Sequence, residues 1–328
     1  MIKVSAPGKL ILIGEYFVLQ DQGIAVSFAI NRRMSIKLQK REDSLVTVKS
    51  DFGCAVIDGV NLIHDSSFFN NHNFTPLKDP HILIFQNIIK KYSQKSIDII
   101  IESEINPNFG FGSSAALATS LTAAIMLLND QSFVIEKNRH KIALEAINLI
   151  RETYNKNSSG VDVATSVFGS IIKYNKYAQH FLNCTENLVE NLDNPFKDLS
   201  ILAIYSGYKL KSQFAINRVS LSNSIIEKMS KGVNDAISAI KAGEKHNLWY
   251  NLNLYQEYLK DIGVSDYTID KIVDIARKYS LAAKISGSGL GDCVLVLTQQ
   301  YQVQNIIKEL KEFKVFELQI ESEGVRRE

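Results

Sequence analysis

Asn106-Pro-Asn-Phe-Gly-Phe-Gly-Ser-Ser-Ala-Ala-Leu-Ala-Thr-Ser120 is the stretch on which the reading of this 328-residue chain turns. The run before it, Ile97-Asp-Ile-Ile-Ile-Glu-Ser103, has the composition of a strand, and Leu117, Leu121, Ala124, Ile125 and Leu128 after it share one helical face. Strand, glycine turn and helix therefore follow one another. Gly110 and Gly112 lack a Cβ, so the backbone can turn sharply and approach a ligand. The first N–H groups of the helix, after Ser113 and Ser114, have no partner inside it, and together with the positive end of the helix dipole they favour an anion such as a nucleotide phosphate. Taken alone, the stretch is equally a capped turn that binds nothing, and it matches neither Gly-x-x-x-x-Gly-Lys-Ser/Thr nor Gly-x-Gly-x-x-Gly.

Upstream, Ile2, Val4 and Ala6 alternate with Lys3 and Ser5 as a strand does, and Pro7-Gly8 is expected to break it. Lys9 sits in that turn and Leu10 to Ile13 forms a second strand running into Gly14-Glu15-Tyr16. Further strands are expected at Ala25–Phe28, Met34–Gln39, Leu45–Lys49 and Ala55–Ile57, a loop over His64 to Asn73, and a helix from Asp79-Pro80. Downstream, His140 to Tyr154 has helical spacing, and Val161 to Gly169 reads as a short helix with Asp162 in its first turn, where a carboxylate can simply complement the dipole. Ser170–Tyr174 resumes as a strand, and the polar run Asn175 to Asp198 reads as an inter-domain connection.

The second half gives a strand at Leu199–Tyr205, helices from Ser212 to Tyr279, strands at Leu281–Ile285 and Cys293–Thr298, a helix at Gln302–Phe313 and a strand at Val315–Ile320. This order is ferredoxin-like, with extra helices after the first strand. Between two of these strands lies a second Gly/Ser loop, Lys284-Ile-Ser-Gly-Ser-Gly-Leu-Gly-Asp292, in a chain with only 17 glycines.

Composition bounds the function without naming it. Apolar residues make up 45% and charged residues 22%, and 37 basic against 35 acidic residues leave a formal net charge of +2 with no basic block. Neither a nucleic-acid nor a membrane-surface protein is expected. Three dispersed cysteines, Cys54, Cys184 and Cys293, imply no disulfide framework or zinc site. Leu10–Ile13 is interrupted by Gly14-Glu15, so no signal peptide or membrane span is expected, and a cytoplasmic protein is.

Four segments in this order and spacing resemble the GHMP small-molecule kinases, the superfamily of galactokinase, homoserine kinase, mevalonate kinase and phosphomevalonate kinase. Ala6-Pro-Gly-Lys-Leu-Ile-Leu-Ile-Gly-Glu-Tyr16 resembles the first motif of that family, Asn106 to Ala116 its second, the ATP phosphate loop, and Lys284 to Cys293 its third. Ser158-Ser-Gly-Val-Asp162 is similar to the segment that carries the catalytic aspartate. The resemblance covers nearly the whole chain and implies an α+β, two-domain fold. Residues 1–178 would form an ATP-binding domain like ribosomal protein S5 domain 2, and residues 179–328 a ferredoxin-like domain with inserted helices. The third motif usually reads Gly-Ala-Gly-Gly-Gly; here Ser288 and Leu290 replace the alanine and one glycine.

The resemblance also implies roles. Lys9 and Asp162 would be the acid–base pair. Asn106, Pro107, Gly110, Gly112, Ser113, Ser114 and Ala115 would hold ATP. Ser114 would place its hydroxyl on Mg2+, with Glu152 as the acidic ligand. Glu15, Tyr16, Ser159, Gly160, Ser212, Gly287, Ser288 and Gly289 would line the acceptor site, while Lys209, Lys211, Ser212 and Arg218 are candidates for a substrate phosphate. Gly14-Glu15-Tyr16, Gly291-Asp292-Cys293 and Asp162 to Gly169 resemble phosphomevalonate kinases, so phosphorylation of 5-phosphomevalonate in isoprenoid precursor synthesis is the leading expectation. Mevalonate kinase and a sugar kinase of the same fold are the alternatives, and a catalytically idle metabolite sensor is the alternative from another class. The expected partner is a small-molecule substrate, and the expected assembly a monomer or homodimer.

Overall fold

The computed structural model describes residues 1–51, 53–59, 61–63, 81–154, 156–180, 188–210 and 212–328. The expected loop over His64 to Asn73, the start of the helix at Asp79-Pro80, Cys184 and Lys211 lie outside the described residues.

The first sheet is built on two long strands, β1 (Ile2–Ile13) and β2 (Ile24–Lys40), paired antiparallel. Pro7-Gly8 does not break β1 as expected; it marks a register shift inside one continuous strand. A bulge absorbs the proline, which cannot donate to a regular ladder. Gly8 has a second reason to be glycine, because a Cβ there would lie 2.6 Å from the Phe111 carbonyl oxygen. The strand thus passes directly under the glycine turn.

β2 is long enough to serve two neighbours on its other edge. Its second half pairs with β6 (Ile97–Ser103) and its first half with β7 (Ile171–Asn175). Beyond β6 come β3 (Val46–Ser50), parallel to it, then β4 (Gly53–Asp58) and β5 (Asn61–Ile63), the last a strand the sequence pattern did not suggest. β8 (Val189–Leu192) pairs with β7, so the stretch expected to be a plain connector contributes a strand. The first sheet therefore extends past the expected boundary at 178, and the chain enters the second sheet only at β9 (Ser200–Lys209).

Four helices accompany the first sheet: α1 (His81–Tyr92), α2 (Ser113–Asn129), α3 (Arg139–Thr153) and α4 (Val161–Phe168). One apolar face was expected for α2, yet every residue from Ala115 to Leu127 is buried. It is enclosed by β1, β2, α3 and α4, and its Ala, Ser and Thr residues allow that close approach.

After β9 the chain forms α5 (Ser212–Asn217), α6 (Asn223–Ala242), α7 (Lys245–Asp261) and α8 (Tyr267–Ala276). Ser222 caps α6 by accepting from the Ile225 amide, and Gly243 ends it in the left-handed region. β10 (Ala282–Ser286), β11 (Gly291–Thr298), α9 (Val303–Glu309) and β12 (Lys314–Leu318) complete a four-stranded sheet of order β10-β11-β9-β12, antiparallel throughout. This is the expected ferredoxin-like arrangement. The chain then returns to the first sheet, where β13 (Arg326–Arg327) pairs with β1. Among the described residues no helix is long and apolar enough to cross a membrane.

Candidate active site

The glycine turn is where the two sheets meet. Asn106 opens it by accepting the Asn108 amide on its side chain at 2.9 Å, and Pro107 sits in the first turn of a short 3-10 helix, Pro107–Phe109. Gly110 and Gly112 both adopt the left-handed region, with φ of 74° and 77°. Gly112 caps α2 without any side-chain hydrogen bond, and the first helical bond runs from the Ala116 amide to the Gly112 carbonyl. The amides of Ser113, Ser114 and Ala115 thus have no partner within the helix, and no acidic side chain occupies its first turn. Ser114 is exposed there. A triphosphate fits such a cradle.

Lys9 lies under the turn. Its amide donates to the Phe111 carbonyl at 2.9 Å, and its side chain runs against Gly112, where a Cβ would sit 3.0 Å from Lys9 Cγ. Its ammonium meets Asp162 Oδ1 at 3.0 Å; the lysine side chain is 5% exposed and the aspartate 43%. A buried cation is therefore held against a carboxylate that solvent or substrate can reach. The aspartate is fixed from behind, because Ser166 of α4 donates to the Pro7 carbonyl at 2.7 Å and the Thr165 hydroxyl bonds that of Ser27 at 2.6 Å. Gly160 caps α4 with φ of 92°, and the Ser159 carbonyl accepts from the Tyr174 hydroxyl at 2.6 Å.

Glu15, expected against the acceptor, is buried and bound to Lys284 at 2.5 Å, each side chain 1% exposed. Lys284 also donates to the Ile285 carbonyl, and Tyr255 donates to the Glu15 carbonyl at 2.8 Å. Burial pushes the Glu15 carboxyl above its ordinary range and the Lys284 ammonium below its own, each opposed by the charge of the other. Glu15 Oε2 has no hydrogen-bond partner among the described residues. Tyr16, at φ 62°, donates its hydroxyl to the Ser288 carbonyl at 2.5 Å and so ties the first motif to the third. Sequence reasoning assigned no role to Lys284. A lone cation in the apolar strand Ala282-Ala-Lys-Ile-Ser286 was the available signal, since such a charge requires a buried partner.

The third motif, with Gly287, Ser288 and Gly289, turns over the same cleft. Gly289 leaves no room for a Cβ against the Val264 carbonyl, and the Leu290 amide donates to that carbonyl at 2.8 Å. Leu290 therefore stands where the loop docks on the turn between α7 and α8. Asp292 is buried against Gly110. Lys209 donates to the Pro107 carbonyl at 2.9 Å and lies 3.7 Å from Asp292 Oδ1.

Among the other expected residues, Arg218 and Glu152 make none of these contacts. Arg218 is exposed after α5, and Ser212 is the first residue of α5. Glu152 is exposed on α3 and makes no hydrogen bond or ion pair with Ser114, while the neighbouring Arg151 donates to the Ser158 carbonyl at 3.0 and 3.1 Å. Among the described residues no three His, Cys, Asp or Glu side chains gather as a metal cage.

Comparison with known proteins agrees with this architecture. Residues 81–170 match the model of the GHMP kinase N-terminal domain, and residues 236–315 match that of the GHMP kinase C-terminal domain. The mevalonate kinase of Aeropyrum pernix is 25% identical over 349 aligned residues, covering 99% of this chain and 98% of that protein. The crystal structure of the Methanococcus jannaschii mevalonate kinase superposes with a TM-score of 0.75 at 20% identity, over 97% of this chain and 98% of the other. Streptococcus pneumoniae phosphomevalonate kinase, in complex with phosphomevalonate and AMPPNP, also gives 0.75 at 16% identity over the full length of both. A free helix N-terminus for a triphosphate, a lysine and a carboxylate at its edge, and both family domains place this chain in the GHMP kinase family, as an ATP-dependent phosphotransferase.

Proposed function

We propose that this kinase transfers the γ-phosphoryl group of ATP to the primary alcohol of mevalonate. The full-length likeness to proteins named mevalonate kinase carries this reading. The site agrees with it, because an alcohol must lose a proton as it attacks phosphorus, and Asp162 offers an accessible carboxylate beside the Lys9 ammonium. The new O–P bond forms as the bond to the ADP oxygen breaks, the proton goes to Asp162, and Lys9 offsets charge on the transferred group. Mg2+ would neutralise phosphate charge; we assign the Ser114 hydroxyl to it, and as its carboxylate Glu152, which is exposed on α3 and not bonded to Ser114.

The features that favoured phosphomevalonate have another use in the fold. Tyr16 holds the third motif through Ser288, and Asp292 lies against Gly110 and Lys209. Lys209, a candidate for a substrate phosphate, is engaged by Pro107 and Asp292 instead. These contacts join the two domains, and they give the three residues a use that does not depend on a phosphorylated acceptor.

ADP release measured with mevalonate, phosphomevalonate and galactose tests the proposal. Turnover is expected with mevalonate alone; turnover with phosphomevalonate and none with mevalonate rejects it. Binding of ATP without transfer to any of the three would favour the metabolite sensor.

A further inference from the structure

The phosphate loop is held at successive points by residues of both domains. The second domain contributes the Lys209 ammonium on the Pro107 carbonyl at 2.9 Å and the Cys293 thiol on the Phe109 carbonyl at 3.1 Å. It also places the Asp292 carboxylate against Gly110, where a Cβ would lie 2.9 Å from both Asp292 Cγ and Oδ1. The first domain contributes the Lys9 amide on the Phe111 carbonyl. Asp292 is the anomaly in this set. It puts a buried carboxylate beside an anion-binding loop, it has φ of 61°, and its Oδ1 lacks a hydrogen-bond partner among the described residues. Electrostatics alone argues against a carboxylate there.

We propose that Asp292 is a positioning residue for nucleotide: wedged between Gly110 and Gly287, it holds the Lys209 ammonium on the Pro107 carbonyl, and this charged pair sets the shape in which the loop receives the triphosphate. Oδ2 faces Gly287, where a Cβ would be 3.5 Å away, so one carboxylate spans the second and third motifs. Lys209 is the partner within reach of the orphaned Oδ1, and a small movement of its flexible side chain would complete the bond. The proposal rests on the phosphotransferase assignment and is independent of the acceptor.

The cost of this carboxylate separates function from structure. Burial raises the Asp292 carboxyl above the ordinary aspartate range, against the pull of Lys209 on β9 and Lys9 on β1 and with a push from Asp162 on α4. A group whose folded pKa is raised loses stability as pH climbs from the unfolded value through the folded one, and Asn, which does not titrate, escapes that loss. Asp292→Asn is therefore expected to melt no lower than the parent at neutral pH and yet to bind nucleotide less well.

The test is a double-mutant cycle on a non-hydrolysable ATP analogue, using Asp292→Asn, Lys209→Met and the pair in the full-length protein. Each single variant is expected to weaken binding on the order of tenfold, the effect of one charge-assisted hydrogen bond, and the double variant to lose no more than either. Lys209→Arg is expected to restore affinity, since its guanidinium can reach both oxygens. Unchanged or tighter binding by Asp292→Asn overturns the proposal, as do additive losses in the double variant. A fall in melting temperature that tracks the loss of affinity overturns it as well. Failure of the mevalonate reading would show in the acceptor assay and leave these affinities untouched.

Discussion

At the scale of single residues, the pair that governs the site from below is Glu15 and Lys284, which never touches solvent. Two charges in so dry a place are held by each other and by few other bonds, and removing one leaves the other stranded. Lys284→Met is expected to destabilise the protein by about 3–5 kcal/mol, read as a shift in the urea midpoint at constant slope. Glu15→Gln together with Lys284→Met should recover part of that loss, because the stranded charge is gone. A single variant that unfolds at the parental midpoint would show that the pair does not bear on stability. Lys9 feels the same cluster, since its charge pulls against the raised Glu15 carboxyl. The ion pair of Lys9 and Asp162 is thus backed by a second, wholly internal couple that joins the two domains.

At the scale of elements, the glycine turns work because the strand beneath them comes unusually close. Gly8 lies outside the left-handed region, so an added methyl meets only a steric problem, but the atom it meets first is the Phe111 carbonyl oxygen in the middle of the glycine turn. Gly8→Ala is therefore expected to move the loop more than it unfolds the protein. KM for ATP should rise about tenfold or more with a melting temperature lowered by only a few degrees. An unchanged KM would mean that the strand yields instead of the loop. The sequence showed this element only in part. The order of strand, turn and helix at Ile97 to Asn129, the short helix with Asp162 in its first turn and the ferredoxin-like order were legible because each carries a local period or a turn residue. Pro7-Gly8 misled, since a bulge and a break share the same local spelling and only the partner strand β2 tells them apart. β5, β8 and β13 are 3, 4 and 2 residues long, too short to show alternation, and exist because a neighbouring edge was free to pair. The couple of Lys284 and Glu15 joins positions 269 residues apart, so no local pattern could announce it.

At the scale of the whole molecule, the two sheets are stitched by the cleft itself and then by the end of the chain. The Ile11 amide donates to the Ser286 hydroxyl at 2.8 Å, and the Tyr16 and Tyr255 hydroxyls cross between the domains. After β12 the backbone returns across the first domain. The Ser170 amide donates to the Glu321 carbonyl at 2.8 Å, the Glu321 amide to the Ala29 carbonyl at 3.0 Å, and the Val325 amide to the Val167 carbonyl at 3.2 Å. Val325 is fully buried, and Gly169 and Gly324 pack so tightly that neither has room for a side chain. Val167 belongs to α4, the helix that presents Asp162 to Lys9, so this arm braces the carboxylate we propose as the base from the face opposite the cleft. Deleting residues 321–328 is expected to lower the melting temperature and to reduce kcat by about tenfold, with the affinity for a non-hydrolysable ATP analogue changed much less, because the phosphate loop does not lean on the arm. Val325→Ala, a smaller lesion, should cost about 1–3 kcal/mol and move kcat in the same direction. If the deletion lowered nucleotide affinity and kcat in equal measure, the arm would be a support for the whole fold and not for α4. A single calorimetric transition for the intact chain and two for the shortened one would place its role in joining the domains into one cooperative unit.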